Sequence, residues 1–440
     1  MSELAYILLK TLQNKFDEVS VLIEEKNNVM VKLWNSEPSV TQSWLQTSIQ
    51  LRLAKSRRLW ILDYDSKDPL YIVKNAEEVL KLASRIEESE LYAPLPEPGK
   101  CSPLTNTYDP NVESSMNDPS RLVEEMVDAS ISQGVDRVAG TLTLSKTRTI
   151  LVDTRGFECS EEKTGVEAYI RAFKGEFSGH WAHGSTKLDH NAIREVGRKA
   201  GYYATITNKK ADISPGEYNV VISPLVAGNL FNYLAYMASA LWVLIGFSVF
   251  AKYAPGEKIG SDVISLYDKP RDVTLPGVRS FDDEGVETFD KPIIENGLIK
   301  NVLHNTATAS KLQLKSTGNA GWIYPRAWNL EISSGELKEE ELPSIVKNGL
   351  IITNNWYTRL QNYYEGYFST VSRDVALLVR NGEIEGHVGR VRIATSYPRL
   401  LSSITGATKN RYDIAWWEVR IPTRAPFLAI ENIPITKPEA

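Results

Sequence analysis

The sequence predicts an α+β protein: an N-terminal α+β domain, a middle α/β segment, and a β-rich antiparallel C-terminal domain holding one long buried helix. Three observations carry this. The first stretch of chain alternates helix, strands and helix. The run Val220–Ala251 contains no charged residue. After it the chain turns mainly to strand patterns, with Asn296-Gly297 and Asn381-Gly382 set between apolar runs as hairpin turns.

Taken in order, Leu4, Ile7, Leu8 and Leu12 mark an amphipathic helix. Residues 18–24, 28–34, 48–53 and 59–62 read as strands, and 75–86 as a helix. Three prolines in Tyr92–Pro98 form a stiff linker and close a first domain, 1–98. A middle segment, 99–212, holds a helix over 120–133, strands over 135–152 and 166–173, and a helix over 191–203. The C-terminal domain, 213–440, opens with the uncharged helix. Residues 334–346 look helical, with Gly349 as their C-cap.

Composition narrows the function. The chain has 440 residues, 24% charged and 42% hydrophobic, as in ordinary globular proteins. A net charge of -5 and the lack of a basic run argue against nucleic acid as a partner. Cys101 and Cys159 are too few for a disulfide framework, and a reducing, cytoplasmic setting fits them best. The uncharged run has the length of a membrane span. Yet Gly228, Asn229 and Asn232 lie early in it, and Lys252, Glu257 and Lys258 follow it. A helix that is apolar all round is read as buried all round, so no membrane is expected.

The common phosphate, dinucleotide, nucleophile-elbow and H-E-x-x-H motifs are all missing. His180, His183 and His190 cluster beside Asp189. Such a group can be a zinc ligand set or a polar loop beside a sheet, because spacing alone specifies zinc poorly. Aromatics gather over 355–367. Trp356, Arg359 and Tyr363, with Tyr236 on the helix, are candidate peptide-binding residues. The alternative is a packed strand pair.

Read together, Ser223–Gly228, Phe281–Val286, Pro292–Gly297, Ser316–Ala320 and Arg380–Ile384 resemble, in order and spacing, the TldD/PmbA family of gyrase modulators and peptide-processing proteins. The likeness covers about residues 200–440 and is looser before them. In its TldD branch the helix carries H-E-x-x-x-H, and a late cysteine supports a zinc peptidase site. On the matching register Asn232, Tyr233 and Met237 stand in the His, Glu and His positions, and no cysteine follows Cys159. An amide and a thioether are poor zinc ligands, and a phenol is a poor general base.

The resemblance therefore implies the PmbA/TldE branch: a metal-free, non-catalytic subunit with no cofactor, paired as a heterodimer with a TldD-like zinc metallopeptidase, or with itself. Its role would be to help hold unfolded peptides for proteolysis. Two rivals remain: a metallopeptidase using an unusual site at His180, His183 and His190, and a ligand-binding protein without a peptidase partner.

Overall fold

The computed structural model describes residues 1–437. Its α+β architecture is built on three sheets. The first holds β1 (Glu18–Trp34), β2 (Glu37–Lys55), β3 (Arg58–Tyr64), β4 (Arg137–Asp153), β5 (Glu158–Lys174) and β6 (Phe177–Ser185), in the order β3-β2-β1-β4-β5-β6. All neighbours are antiparallel. Strands from both sides of the proline linker thus build one sheet.

β1 is a single long strand, where the sequence pattern suggested two. β2 and β4 both pair with it through Glu25–Asn27, so its polar middle is held from both sides. Helices α1 (Ser2–Leu12) and α2 (Pro69–Leu82) cover the part of the sheet carrying Val19, Val21 and Ile150. α2 starts earlier than its periodicity suggested, because Asp68 caps the Leu70 N–H and Pro69 occupies the first turn. The short α3 (Pro110–Ser115) follows, and α4 (Ser120–Ile131) and α5 (His190–Thr205) pack beside β4–β6.

Cys101 and Cys159 are joined by a disulfide with Cα atoms 5.1 Å apart. A single bond is less than the disulfide framework that the cysteine count excluded. The bond ties the segment after the proline linker to β5.

The uncharged run becomes β7 (Gly216–Ile222), α6 (Pro224–Met237) and α7 (Ala240–Leu244). Ser223 caps α6, donating to Thr353 O at 2.6 Å, and Pro224 sits in its first turn. The long helix expected here breaks at Ser239. Its backbone is extended there because Leu303 pairs on both sides, Leu303 N to Ala238 O and Ala240 N to Leu303 O, each at 2.8 Å. No helix among the described residues is long and apolar enough to cross a membrane.

The chain then forms β8 (Leu266–Asp268), β9 (Lys291–Glu295), β10 (Leu298–Ile299), α8 (Thr306–Lys311), β11 (Leu330–Ile332), α9 (Leu342–Val346), β12 (Gly349–Ile352), β13 (Asn355–Asn362) and β14 (Tyr367–Ser372). β15 (Ala376–Arg380), β16 (Glu383–His387), β17 (Arg392–Ser396), α10 (Tyr397–Ser402), β18 (Ile404–Ala407), β19 (Tyr412–Trp416), β20 (Val419–Ala425) and β21 (Leu428–Thr436) complete it. The second sheet runs β10-β9-β8-β11-β20-β19. The third runs β13-β14-β17-β21-β7-β12-β15-β16, with β18 on β21. The pairs β7–β12 and β11–β20 are parallel, and the others in these two sheets are antiparallel. α6 lies in their shared core, among Leu266, Ile293, Ile352, Phe368 and Ile430.

Both Asn-Gly turns form as expected, with positive φ at Asn296, Gly297, Asn381 and Gly382. Gly349 does not cap a helix. Lys347 takes a positive φ of 55 at the centre of a tight turn closed by Asn348 N on Val346 O at 2.7 Å, and Gly349 begins β12. A Cβ at Gly349 would lie 2.0 Å from Asn219 O, so this glycine serves the close approach of β7.

The Phe281–Val286 segment forms the junction between the first sheet and the rest. Arg279 Nε lies 2.8 Å from Glu161 Oε1, as an ion pair rather than an aligned hydrogen bond. Glu161 Oε2 accepts from Ser280 N at 2.8 Å. Arg155 donates to Glu284 O at 2.7 Å, and Trp322 Nε1 to Gln50 Oε1 at 3.0 Å. Asp282 accepts the N–H groups of Glu284, Val286 and Ala320. Burial, then the neighbouring Glu284 charge, raises its carboxyl well above the usual range.

Behind the junction, Lys291 Nζ lies 3.1 Å from Asp268 Oδ2, with both side chains buried. Asn319 and the Trp328 N–H also donate to Asp268. Removing one partner of a buried pair strands the other charge, at a typical cost of about 3–5 kcal/mol. Lys291→Met should lower stability by about 3 kcal/mol in urea unfolding. Lys291→Met combined with Asp268→Asn should recover part of that loss.

Candidate functional site

The site is built where β20 and β13 meet α6. Gly228 lets β20 come close: a Cβ there would stand 3.2 Å from a Val419 methyl. The polar side chains of α6 are then consumed by that contact. Asn232 Nδ2 donates to Ile421 O at 3.0 Å and Thr423 Oγ1 at 2.9 Å, and its Oδ1 accepts from Ile421 N at 2.8 Å. Tyr233 donates its hydroxyl to Thr358 O at 3.0 Å. Met237 is fully buried in the apolar core.

One turn earlier, Asn229 organises a second network. Its Nδ2 donates to Glu418 O at 2.8 Å. Its Oδ1 accepts from Asn355 Nδ2 at 2.8 Å and from Thr358 Oγ1 at 2.6 Å. Thr370 joins through Asn355 and Thr358. Burial raises the Glu418 carboxyl, and Arg373 opposes that rise.

The three residues at the zinc-motif positions are therefore placed together on α6, but as structural contacts. An amide engaged at both ends, a phenol bound to a carbonyl and a core thioether do not form a set that fits a divalent metal. Among the described residues, no three His, Cys, Asp or Glu side chains converge as ligands.

The histidine group is dispersed. His180 and His183 project from opposite faces of β6, as their spacing on a strand requires. His180 packs 4.4 Å from Trp416 and 5.9 Å from Tyr169, ring to ring. His183 lies toward Asp413, and His190 Nδ1 pairs with Glu125 Oε2 at 2.9 Å. Of the two readings of this group, the zinc ligand set does not form among the described residues.

The aromatic candidates fall into three contact groups. Tyr236 lies 5.2 Å from Trp242 and 6.0 Å from Tyr324. Tyr363 lies 5.6 Å from Phe247. Trp356 and Arg359 flank Tyr357, at 6.1 Å and 4.4 Å. Sequence reasoning passed over Glu418, Trp416, Trp417 and Arg373. The doublet Trp416-Trp417 between two strands was the available signal, since adjacent tryptophans on a strand end cannot both enter the same core.

The comparisons with known proteins agree with this framework. The family profile described as "PmbA/TldA metallopeptidase C-terminal domain" matches residues 215–437. The chain belongs to that PmbA/TldD metallopeptidase-related family. A curated metalloprotease of Methanothermobacter thermautotrophicus is 26% identical over 307 residues, 66% of each chain, so the match spans just under two thirds of that relative. A Thermotoga maritima structure described as a modulator of a DNA gyrase superposes with TM-score 0.83 at 23% identity, covering 99% of this chain and 100% of the other. TldE from Thermococcus kodakarensis superposes with TM-score 0.81 at 20% identity, covering 98% and 100%. These structures share the fold.

Two predictions follow from the local chemistry. Asn232→Ala removes the acceptor of the Ile421 N–H, while the Ile421 carbonyl keeps the Thr423 hydroxyl. It should cost about 2 kcal/mol in urea unfolding, and Tyr233→Phe about 1 kcal/mol. The second concerns pH. Burial pushes His180 down from 6.5 to about 4, so the folded chain holds it neutral. Above the ordinary value of 6.5 its contribution to stability is intact. Below it the unfolded chain binds a proton that the folded chain refuses, and stability falls until about pH 4. The loss should reach about 3 kcal/mol. Subtracting the stability profile of His180→Phe from that of the unmodified chain should isolate it.

Proposed function

We propose that the chain is a PmbA/TldE-like subunit with no zinc site of its own, acting beside a TldD-type zinc peptidase and helping to enclose an unfolded peptide. The observation that carries this reading is the closed state of the helix: Asn232, Tyr233 and Met237 are committed to β20, to Thr358 and to the core. None is free to bind metal or activate water. The stretch 213–440 would be the domain that carries this degenerate framework, and the cytoplasm its compartment. In a reducing compartment the Cys101–Cys159 link would be open, and the hydrogen-bonded junction around Asp282 would hold that region.

A protein partner is supported by exposed apolar side chains around the end of α7 and the β13–β14 turn. Ile245, Phe247 and Tyr364 are each about half exposed, and the Phe247 ring packs tilted against Tyr363. Clusters of this kind on a soluble surface mark association sites. Trp356, Arg359, Tyr363 and Tyr236 remain the residues proposed to meet peptide, with Tyr363 next to this patch.

The test compares peptide hydrolysis by the chain alone, by an H-E-x-x-x-H paralogue from the same cell, and by the mixture, with chelator controls. The chain alone should be inactive, and the mixture should form a complex that cleaves. Phe247→Asp should weaken association without unfolding the chain. Chelator-sensitive turnover by the isolated chain would remove the non-catalytic reading, and failure of the two chains to associate would remove the partner.

A further inference from the structure

A cavity of about 520 Å³ opens between the first sheet and the tip of the β19–β20 hairpin. This lies within the range of about 300–1,000 Å³ for small-molecule sites. Lys32 and Trp34 from β1, Tyr169 and Arg171 from β5, and His180 from β6 line one side. Arg373, Trp416 and Trp417 line the other.

Three features set this cavity apart from a packing defect. First, its rim presents Trp34 and Trp417, which are 66% and 49% exposed, an unusual state for the largest apolar side chains. Second, its basic groups are unequally satisfied. Arg171 is paired with Asp374, but no carboxylate lies within ion-pair distance of Arg373 or Lys32 among the described residues. The Arg373 guanidinium is instead held between rings, 5.2 Å from Trp356 and 5.8 Å from Trp417. The nearest acids are already engaged, Asp374 by Arg171, Ser178 and Asn354, and Glu418 by Asn229. Third, two buried lining rings have nitrogens without a partner, His180 Nε2 and Trp416 Nε1. Buried ring nitrogens normally find a hydrogen-bond partner, and each left unpaired costs stability.

Flat aromatic walls, spare cations and unpaired ring nitrogens together ask for a ligand with a planar apolar body and an anionic acceptor end. We propose that this cavity binds an aromatic carboxylate, with the carboxylate on Arg373 and Lys32 and the ring among Trp34, Trp417 and Tyr169. The free C-terminal aromatic residue of a peptide and a small aromatic acid share this chemistry. Phosphate is the weaker match. Every lining residue lies on a strand or turn, so no helix N-terminus supplies the backbone N–H cradle that phosphate sites use. The assignment concerns the isolated chain and stands apart from the partner proposed above.

The experiment is calorimetric titration of the whole chain with acetyl-Ala-Ala-Phe as free acid, with the same peptide as its C-terminal amide, with N-acetylphenylalanine, and with AMP. The free acid should bind saturably at one site per chain, and the amide at least about tenfold more weakly, as loss of a charge-assisted contact implies. Arg373→Gln should weaken the acid by a similar factor, with an unchanged urea midpoint, while Arg373→Lys keeps part of the binding. Trp417→Ala should weaken both acids. Tighter binding of the tripeptide than of N-acetylphenylalanine assigns a peptide end, and equal binding assigns a small aromatic acid. Equal affinity for acid and amide, no saturable binding of either acid, or tighter binding of AMP would overturn the proposal. If Arg373→Gln does not fold, Lys32→Gln on the exposed rim reads the same contact, and unchanged binding there would equally overturn it.

Discussion

The structure depends on the burial of most of one uncharged helix. α6 sits where the second and third sheets meet, so the polar atoms it buries must be satisfied from within the protein. That constraint selects its neighbours. Ser223 holds the Thr353 carbonyl, Gly228 admits β20, and Asn229 and Asn232 bond to Glu418, Asn355 and the backbone at Ile421. A zinc site at the same place would demand the opposite: side chains left unpaired until a metal and a water complete them. The helix cannot do both, and here it is closed.

The motifs that surround α6 have a structural reason that is independent of catalysis. Asp282 uses its two oxygens on three backbone N–H groups and so fixes the turn Phe281–Val286 against Ala320. Asn319 and Lys291 fix Asp268, which in turn holds the Trp328 backbone. Arg279, Glu161 and Arg155 then tie this assembly to the first sheet. These contacts hold the second and third sheets against the first whatever chemistry the helix carries. The family likeness at these positions therefore reports on architecture.

Much of this was legible in the sequence. The uncharged run, its proline start and the two Asn-Gly hairpins each carry a local physical signal, and each appears where expected. The failures have local causes too. The polar middle of β1 looked like a break because alternation was judged from one strand, whereas pairing on both edges holds it. The uncharged run looked like one helix because nothing in it announces Leu303, more than sixty residues away, which pairs at Ser239. Gly349 looked like a cap because an Asn-Gly pair followed an acidic helical pattern. The requirement it meets is contact with β7, which no short window contains. The histidines follow the strand rule, since proximity in sequence across a strand is separation across its faces.

The tip of the β19–β20 hairpin joins these two lessons. Its residues serve opposite sides at once: Glu418 closes the α6 network, while Trp416 and Trp417 face the first sheet and Arg373. The same satisfaction rule gives different outcomes on the two sides. Around Asn229 nearly every donor has an acceptor within the chain, so little bonding capacity is left over. Around Arg373 and His180 donors outnumber acceptors, so the surface is left with unfilled bonding capacity. An imbalance of donors and acceptors is the physical guide to where a ligand can gain by binding, and here that imbalance sits on the far side of the hairpin from the helix.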